Sequence, residues 1–251
     1  MILRKLADAI AEQNWFTVVL EVLIVVVGIF IGLQVDDWSE RRKESSLERG
    51  YIERLDAEVD ANIAVYEAAI QGAEETDRLY RDYFDYLHDP AAPSPDQSEL
   101  LIVLCRVGIQ SRLRFDNTVY DELVSTGRLD IIGYVELTRS LKTYWTVQLS
   151  RAQGTDQLAP INRQTFRDIE AFIFWQPALP GGAFDNCLFD FEKFEMNNRA
   201  ASHIAQAQRI QFVFLLTYQE ILSNLMDVRE ALNRGYPEIV KSANENAEES
   251  S

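Results

Sequence analysis

Apolar residues follow two different patterns along this chain. From Trp15 to Val35 they are nearly continuous: WFTVVLEVLIVVVGIFIGLQV holds one ionisable group, Glu21. At about 1.5 Å per residue a helix of that length covers a hydrocarbon core of roughly 30 Å. The stretch exceeds a signal-peptide h-region, and no small-x-small cleavage site follows it. Trp15 and Trp38 bracket it, where interfacial aromatics sit. The pattern predicts an uncleaved transmembrane helix over 15–35. Before it, Ile2, Leu3, Leu6 and Ile10 recur at helical spacing among charges, which fits an amphipathic segment over 1–14 or a simple tail.

After Trp38 the apolar positions recur every three or four residues. Leu47, Tyr51, Leu55, Val59, Ile63, Tyr66 and Ile70, then Leu79, Tyr83 and Leu87, mark one stripe of a long helix or stalk over 36–89. Gly50 and Gly72 are its possible break points, and Pro90, Pro93 and Pro95 end it. Asp96, three residues before Glu99, predicts a capped helix through LLIVLCRVGIQ, apolar nearly all round and so the central buried helix. A helix opening near Asp116 or Asn117 stops at Gly127, with Leu129, Ile131 and Ile132 as anchors beyond the turn. Val135 to Leu149 gives another, ending around Gly154, and Pro160–Trp175 reads as weakly helical. PALPGG is a loop, and FDNCLFDFEKF reads as a strand or a packed loop. The last strong pattern runs from Asn198 to Arg234, where Gly235 and Pro237 end it. A helical soluble domain over 90–240 and a disordered acidic tail over 241–251 complete the division. Strand-like alternation is nearly absent. The expected fold is all-α, one N-terminal transmembrane helix followed by a bundle of four to six helices with a long first helix.

Composition narrows the partners. Forty acidic against 24 basic residues give a net charge of −16, which repels polyanions and argues against nucleic acid. Two cysteines, Cys105 and Cys187, either pair in an oxidising compartment or stay as buried thiols. The frequent burial of free cysteine favours the thiols. Basic residues cluster after the span at Arg41, Arg42, Lys43 and Arg49, more than at Arg4 and Lys5 before it, which by itself places the domain in the cytoplasm. A short, mildly basic tail followed by a long domain is instead a common signal-anchor arrangement, and the reading adopted is periplasmic.

One face of the span differs from the rest. At about 100° per residue, Asn14, Thr17, Glu21, Val25, Gly28 and Gly32 fall within roughly 40° of the Glu21 direction. Gly28 and Gly32 form a G-x-x-x-G pair that lets helix backbones approach closely. Glu21 lies about 9 Å inside the Trp15 edge, where a carboxylate against lipid costs a few kcal/mol. It therefore turns toward a partner helix or water, is neutralised, or snorkels to the interface. The polar and small-residue stripe predicts homo-oligomerisation through this face.

The stretch VLEVLIVVVGIFIGLQVDDWSERRK, with Glu21 before an apolar run and Gln34, Asp36, Asp37 and Trp38 after it, resembles the N-terminal signature of a bacterial family. Its members are single-pass membrane-anchored proteins catalogued only as a domain of unknown function. TVYDELVSTGRLDII resembles that family's second landmark, carried here by Tyr120, Leu123, Ser125, Gly127, Leu129 and Ile132. The likeness covers the chain well as far as Gly50, the middle in part, and little beyond position 155. It implies the anchored architecture and brings no activity.

Catalytic signals are sparse. His88 and His203 are far apart and belong to no H-x-x-x-H or H-E-x-x-H pattern, and no G-x-S-x-G, Walker-type loop or G-x-G-x-x-G occurs. His88 sits at a helix end, where a cation suits the dipole. No catalytic, metal or cofactor residue is assigned, and the expectation is a non-enzyme without cofactors. Arg112, Arg114, Asp116 and Asn117 form the best polar candidate for a partner or ligand contact, set against a salt-bridged loop between two helices. The expected function is a membrane-anchored interaction or sensory/scaffold module, partnered by the lipid bilayer, copies of itself and another protein. The alternative is an oligomeric ion- or proton-conducting assembly using Glu21, which Glu21→Gln would distinguish through pH-dependent conductance in vesicles.

Overall fold

The computed structural model describes residues 15–89, 91–107, 115–175 and 187–248, with side chains from Val19 to Ser242. The amphipathic segment expected over 1–14, and Arg112 and Arg114, lie outside the described residues. The chain divides into two units, Met1–Tyr51 and Ile52–Ser251. Helix α1, Trp15–His88, supplies residues to both.

In the first unit every residue from Val19 to Trp38 is exposed. Among the described residues α1 is the one helix long and apolar enough to cross a membrane by length and composition. Beyond the apolar run, the Arg42 guanidinium lies 5.5 Å from the Trp38 ring centroid. This is a cation–π pairing, placed where the sequence turns polar. Gly50 and Gly72 do not break α1. A glycine inside a helix costs about 1 kcal/mol relative to alanine, too little to stop so long a pattern.

The second unit is all-α with one small sheet. Its remaining elements are α2 (Gln97–Cys105), α3 (Thr118–Ser125), α4 (Val135–Glu170), β1 (Ile173–Trp175), β2 (Cys187–Phe189), α5 (Phe191–Glu195), α6 (Ala200–Gly235) and α7 (Pro237–Glu248). Residues 52–88 of α1 pack with α4 and α6 as the long members of the bundle. Pairings of Asp56 with Arg229 and Asp77 with Gln208 set α1 antiparallel to α6. Arg151 with Glu220 and Asp168 with His203 set α4 antiparallel to α6 as well.

The ends of these helices follow local chemistry. Asp96 caps α2, accepting from the Ser98 and Glu99 N–H groups at 2.7 and 3.4 Å, as an N-cap carboxylate does. α2 buries Leu100, Leu104 and Cys105 but leaves Ile102 about half exposed, so it packs by one face and is not the all-round buried helix its composition implied. α3 ends in a Schellman motif. Gly127 has φ 67° and donates to the Val124 carbonyl, while Arg128 donates to that of Leu123. A short 3₁₀ turn, Leu129–Ile131, leads to buried Ile132.

Three boundaries differ from the sequence expectation. α4 continues through Gly154 and Pro160 to Glu170 as one helix. Proline removes one backbone bond there. Leu137 to Gln148 on one side and Asn162 to Ile169 on the other supply buried side chains, and that packing holds the helix across the gap. Of the ambiguous FDNCLFDFEKF, the described part from Cys187 onward divides into β2 and α5. β2 pairs antiparallel with β1 in the register Ile173↔Phe189, Phe174↔Leu188 and Trp175↔Cys187. Pro237, read as a stop, opens α7, which carries helix through Glu248 where a disordered tail was expected from 241. Proline at a first helical position sacrifices an N–H that has no intrahelical partner anyway. Ile239 and Val240 are buried and hold α7 to the bundle.

Cys105 and Cys187 form a disulfide between the end of α2 and β2, with Cα atoms 6.1 Å apart, which overturns the reading of two free thiols. Sequence spacing says nothing about that distance; folding sets it by laying β2 against α2. Around the bridge is a core of Leu79, Tyr80, Tyr83, Leu100, Leu104, Ile169 and Ile204, closed by aromatic rings. Phe194 meets Phe172 and Phe189 edge-on at 5.0 and 5.2 Å, geometry that favours aromatic pairs beyond their buried area.

Candidate functional site

Two places carry more polar chemistry than their surroundings explain. The first is the candidate face of the apolar run. Glu21, Val25, Gly28 and Gly32 are all exposed, and a methyl group built on either glycine meets nothing within 4 Å. The side chain of Thr17 lies outside the described ones. The face is uncovered over its whole described length, and its two glycines leave the backbone open to a neighbour.

The second lies inside the bundle. α1 turns Leu55, Val59 and Tyr66 inward, and with them Asp56, Glu58 and Asn62. Position 62 continues the three-four spacing of Ile52, Leu55, Val59 and Tyr66, so the core stripe carries asparagine there while Ile63 is only half-buried. Asn62 clasps the backbone of Asp116: its Nδ2 donates to the carbonyl at 2.5 Å, and its Oδ1 accepts the N–H at 2.8 Å. The Asp116 side chain accepts from the N–H and hydroxyl of Thr118 at 2.9 and 2.5 Å. These bonds hold its carboxyl below the usual range, because they favour the charged form. Asn117 is buried and donates to Gln148 Oε1 at 2.8 Å. Gln148 Nε2 donates in turn to the hydroxyls of Tyr144 at 2.9 Å and Tyr66 at 3.3 Å. Phe115 stacks on Tyr66, and the Tyr218 ring of α6 lies tilted to it with centroids 6.4 Å apart. Burial pushes the phenols of Tyr66, Tyr144 and Tyr218 up, since a phenolate is poorly solvated there.

Glu58 is the buried carboxylic acid of this layer. Its Oε2 accepts the Val119 N–H at 2.7 Å, in the first turn of α3. Burial pushes its carboxyl up to about 7, and the nearby Asp116 and Asp121 push the same way, against the pull of the Val119 and Tyr120 N–H groups. The pH dependence has a definite sign. In the unfolded chain the carboxyl ionises near its ordinary value of 4.5. Above that, the folded state holds the proton that the unfolded state has released. Stability from this group is therefore complete below about 4.5 and is lost as pH rises through about 7.

On the same stretch of α1, Arg229 of α6 reaches into the bundle. It bonds to the Asp56 carboxylate, to the Asp56 carbonyl at 2.9 Å, and to the Asp60 carboxylate. Its Nε–H is buried and has no partner among the described residues. Farther along, His203 is buried with Nδ1 3.8 Å from an Asp168 oxygen. Burial holds its imidazole below the usual range, because it disfavours the cation. Among the described residues no group of three or more His, Cys, Asp or Glu is placed to hold a metal.

The structure thus uses Asp116 and Asn117 to seat α3 on α1 and α4. Glu58, Asn62, Tyr144, Gln148 and Arg229 were not singled out from sequence. For Asn62 a signal existed in the heptad spacing; for Glu58 and Arg229 none did, since charged residues at their positions fit a solvated face equally well. Fold and polar layer together define an all-α protein whose helix α1 opens with an apolar run and whose bundle holds a hydrogen-bonded seam. No family model, curated protein or solved structure matches the chain.

Proposed function

We propose that the protein is a membrane-anchored interaction or sensory module. Residues 15–35 span the inner membrane of a bacterium, the chain self-associates through Thr17, Glu21, Val25, Gly28 and Gly32, and the helical domain meets a protein partner in the periplasm. The observation that carries this reading is the uncovered run from Val19 to Val35. So much contiguous apolar side chain is unfavourable against water and requires lipid or another helix. A Glu within it needs shielding from lipid, and the flanking glycines permit the close approach that provides it. The bacterial setting rests on the resemblance of the N-terminal stretch that ends at Gly50. The periplasmic side is supported by the Cys105–Cys187 disulfide, since such bonds persist in oxidising compartments and are rare in the cytosol.

Replacing Gly28 and Gly32 together by isoleucine tests self-association. The double variant should run as a monomer in mild detergent where the parent runs as an oligomer, and an unchanged oligomer sinks the proposed face. Sidedness is read separately. With the native cysteines bonded to each other, Ser250→Cys gives a single reactive thiol. A membrane-impermeant maleimide should label it in intact cells; labelling that requires lysis removes the periplasmic assignment.

A further inference from the structure

Helix α3 is not capped by its N-cap side chain. Its N-cap residue, Asn117, has no side-chain bond to the helix and gives its amide to Gln148. Asp116 takes the Thr118 N–H, and the next N–H of the first turn receives the Glu58 carboxyl from α1, 61 residues earlier in the chain. Two other acidic groups flank the same helix start: Asp116, bonded to Thr118, and Asp121 within the first turn. A helix N-terminus favours negative charge, but three carboxylates share this one. Asp121 is exposed and Asp116 lies against its own Thr118 bonds, while Glu58 is 8% exposed and has least water to stabilise its charge. From α4, Tyr144 also interacts electrostatically with this carboxyl. At the rim, Arg54 of α1 pairs with Glu122 of α3 at 2.6 Å and is thereby committed to another carboxylate.

The protonated and ionised forms of Glu58 therefore differ in what they ask of α3. A neutral carboxyl still accepts the Val119 N–H and sits beside Asp116 and Asp121 without repulsion. A carboxylate repels both and draws water into the seam, and the least costly response is to part α3 from α1. α3 has only eight residues, too few to be stable as a helix without its packing.

We propose that Glu58 is a proton-operated latch, seating α3 and the 115–118 segment on α1 when protonated and releasing them when ionised. The latch goes beyond the anchoring role above and holds whether or not the chain self-associates. It supplies an input for a sensory module: proton concentration read as exposure of α3.

The test is amide hydrogen exchange on the full-length protein in detergent, with intrinsic chemical rates divided out, from about pH 5 to about pH 9. Protection of 118–125 should fall by about tenfold or more, with a midpoint between about 6 and 8, while 162–169 of α4 keeps its protection. Glu58→Gln retains an acceptor oxygen without the charge, and should keep α3 protected to the top of the range. Asp121→Asn, at an exposed position, removes one repelling charge and should move the midpoint lower. Flat protection in the parent, a midpoint below about 5, or the same fall in Glu58→Gln overturns the latch. Should Glu58→Gln lose its helical circular dichroism, Asp121→Asn decides, and an unmoved midpoint overturns it. The Gly28/Gly32 double variant should show the same pH response, which separates failure of the latch from failure of self-association.

Discussion

Exchanging Arg229 for methionine should cost the domain about 3–5 kcal/mol, the range measured when one partner of a buried ion pair is removed. Asp56 is 2% exposed, and its carboxylate and carbonyl both take bonds from this one guanidinium. Methionine fills much of the arginine stem's volume, so the loss should come from the stranded charge and its unmet bonds more than from a cavity. Asp60 shares the guanidinium, but its side chain is about half exposed. Asp60→Asn should therefore cost under about 1 kcal/mol. Pairing Arg229→Met with Asp56→Asn removes the orphaned charge, and the double variant should recover a substantial part of the loss. Urea melts of the four proteins measure this. A single-variant loss below about 1 kcal/mol would show that water or another cation reaches Asp56 and that the pair does not hold α1 to α6.

Reducing the Cys105–Cys187 bond, or replacing both cysteines with serine, should destabilise the domain by about 2–5 kcal/mol. The bond joins residues 82 apart, so its removal returns a long loop's freedom to the unfolded chain. Both cysteines are 4% exposed, and serine hydroxyls in that apolar setting add a cost of their own. Loss should begin where the bond acts, among α2, β2 and the rings of Phe172, Phe189 and Phe194, while the Arg229 pair and the Glu58 layer remain at the other end. The check is thermal unfolding with and without reductant. The parent should lose about 4–20 °C, scaling about 2–4 °C per kcal/mol for a domain of this size, and the serine variant should not respond to reductant. A parent equally stable in both conditions would mean the bond contributes nothing to the fold.

These two effects lie where sequence reading was weakest. Charged residues on a helix ordinarily face solvent. By composition Asp56, Glu58 and Arg229 look like any others in a chain with 40 acidic and 24 basic residues. Their burial depends on where α6 and the 115–118 segment come to rest against α1, long-range facts that a local window does not contain. Asn62 stood closer to legibility, since it continues the spacing of Leu55, Val59 and Tyr66, yet the adjacent Ile63 is the apolar choice. Proline gave a similar lesson twice. Pro160 lies inside α4 because tertiary contacts on both sides hold the helix, and Pro237 begins a helix because Ile239 and Val240 find a surface to bury against.

What the sequence determined by itself is what local energetics dictate. The apolar run from Trp15 to Val35, the long stripe up to His88, the Asp96 cap, the glycine stop at Gly127 and the all-α class all follow from periodicity, capping and backbone freedom, which act over a few residues. The tertiary structure alone decided that Cys105 meets Cys187, that Glu58 caps a helix 61 residues away, and that Arg229 is the counter-charge to Asp56. Each joins distant parts of the chain, and its free energy depends on desolvation and distance. Neither quantity exists until the helices have packed.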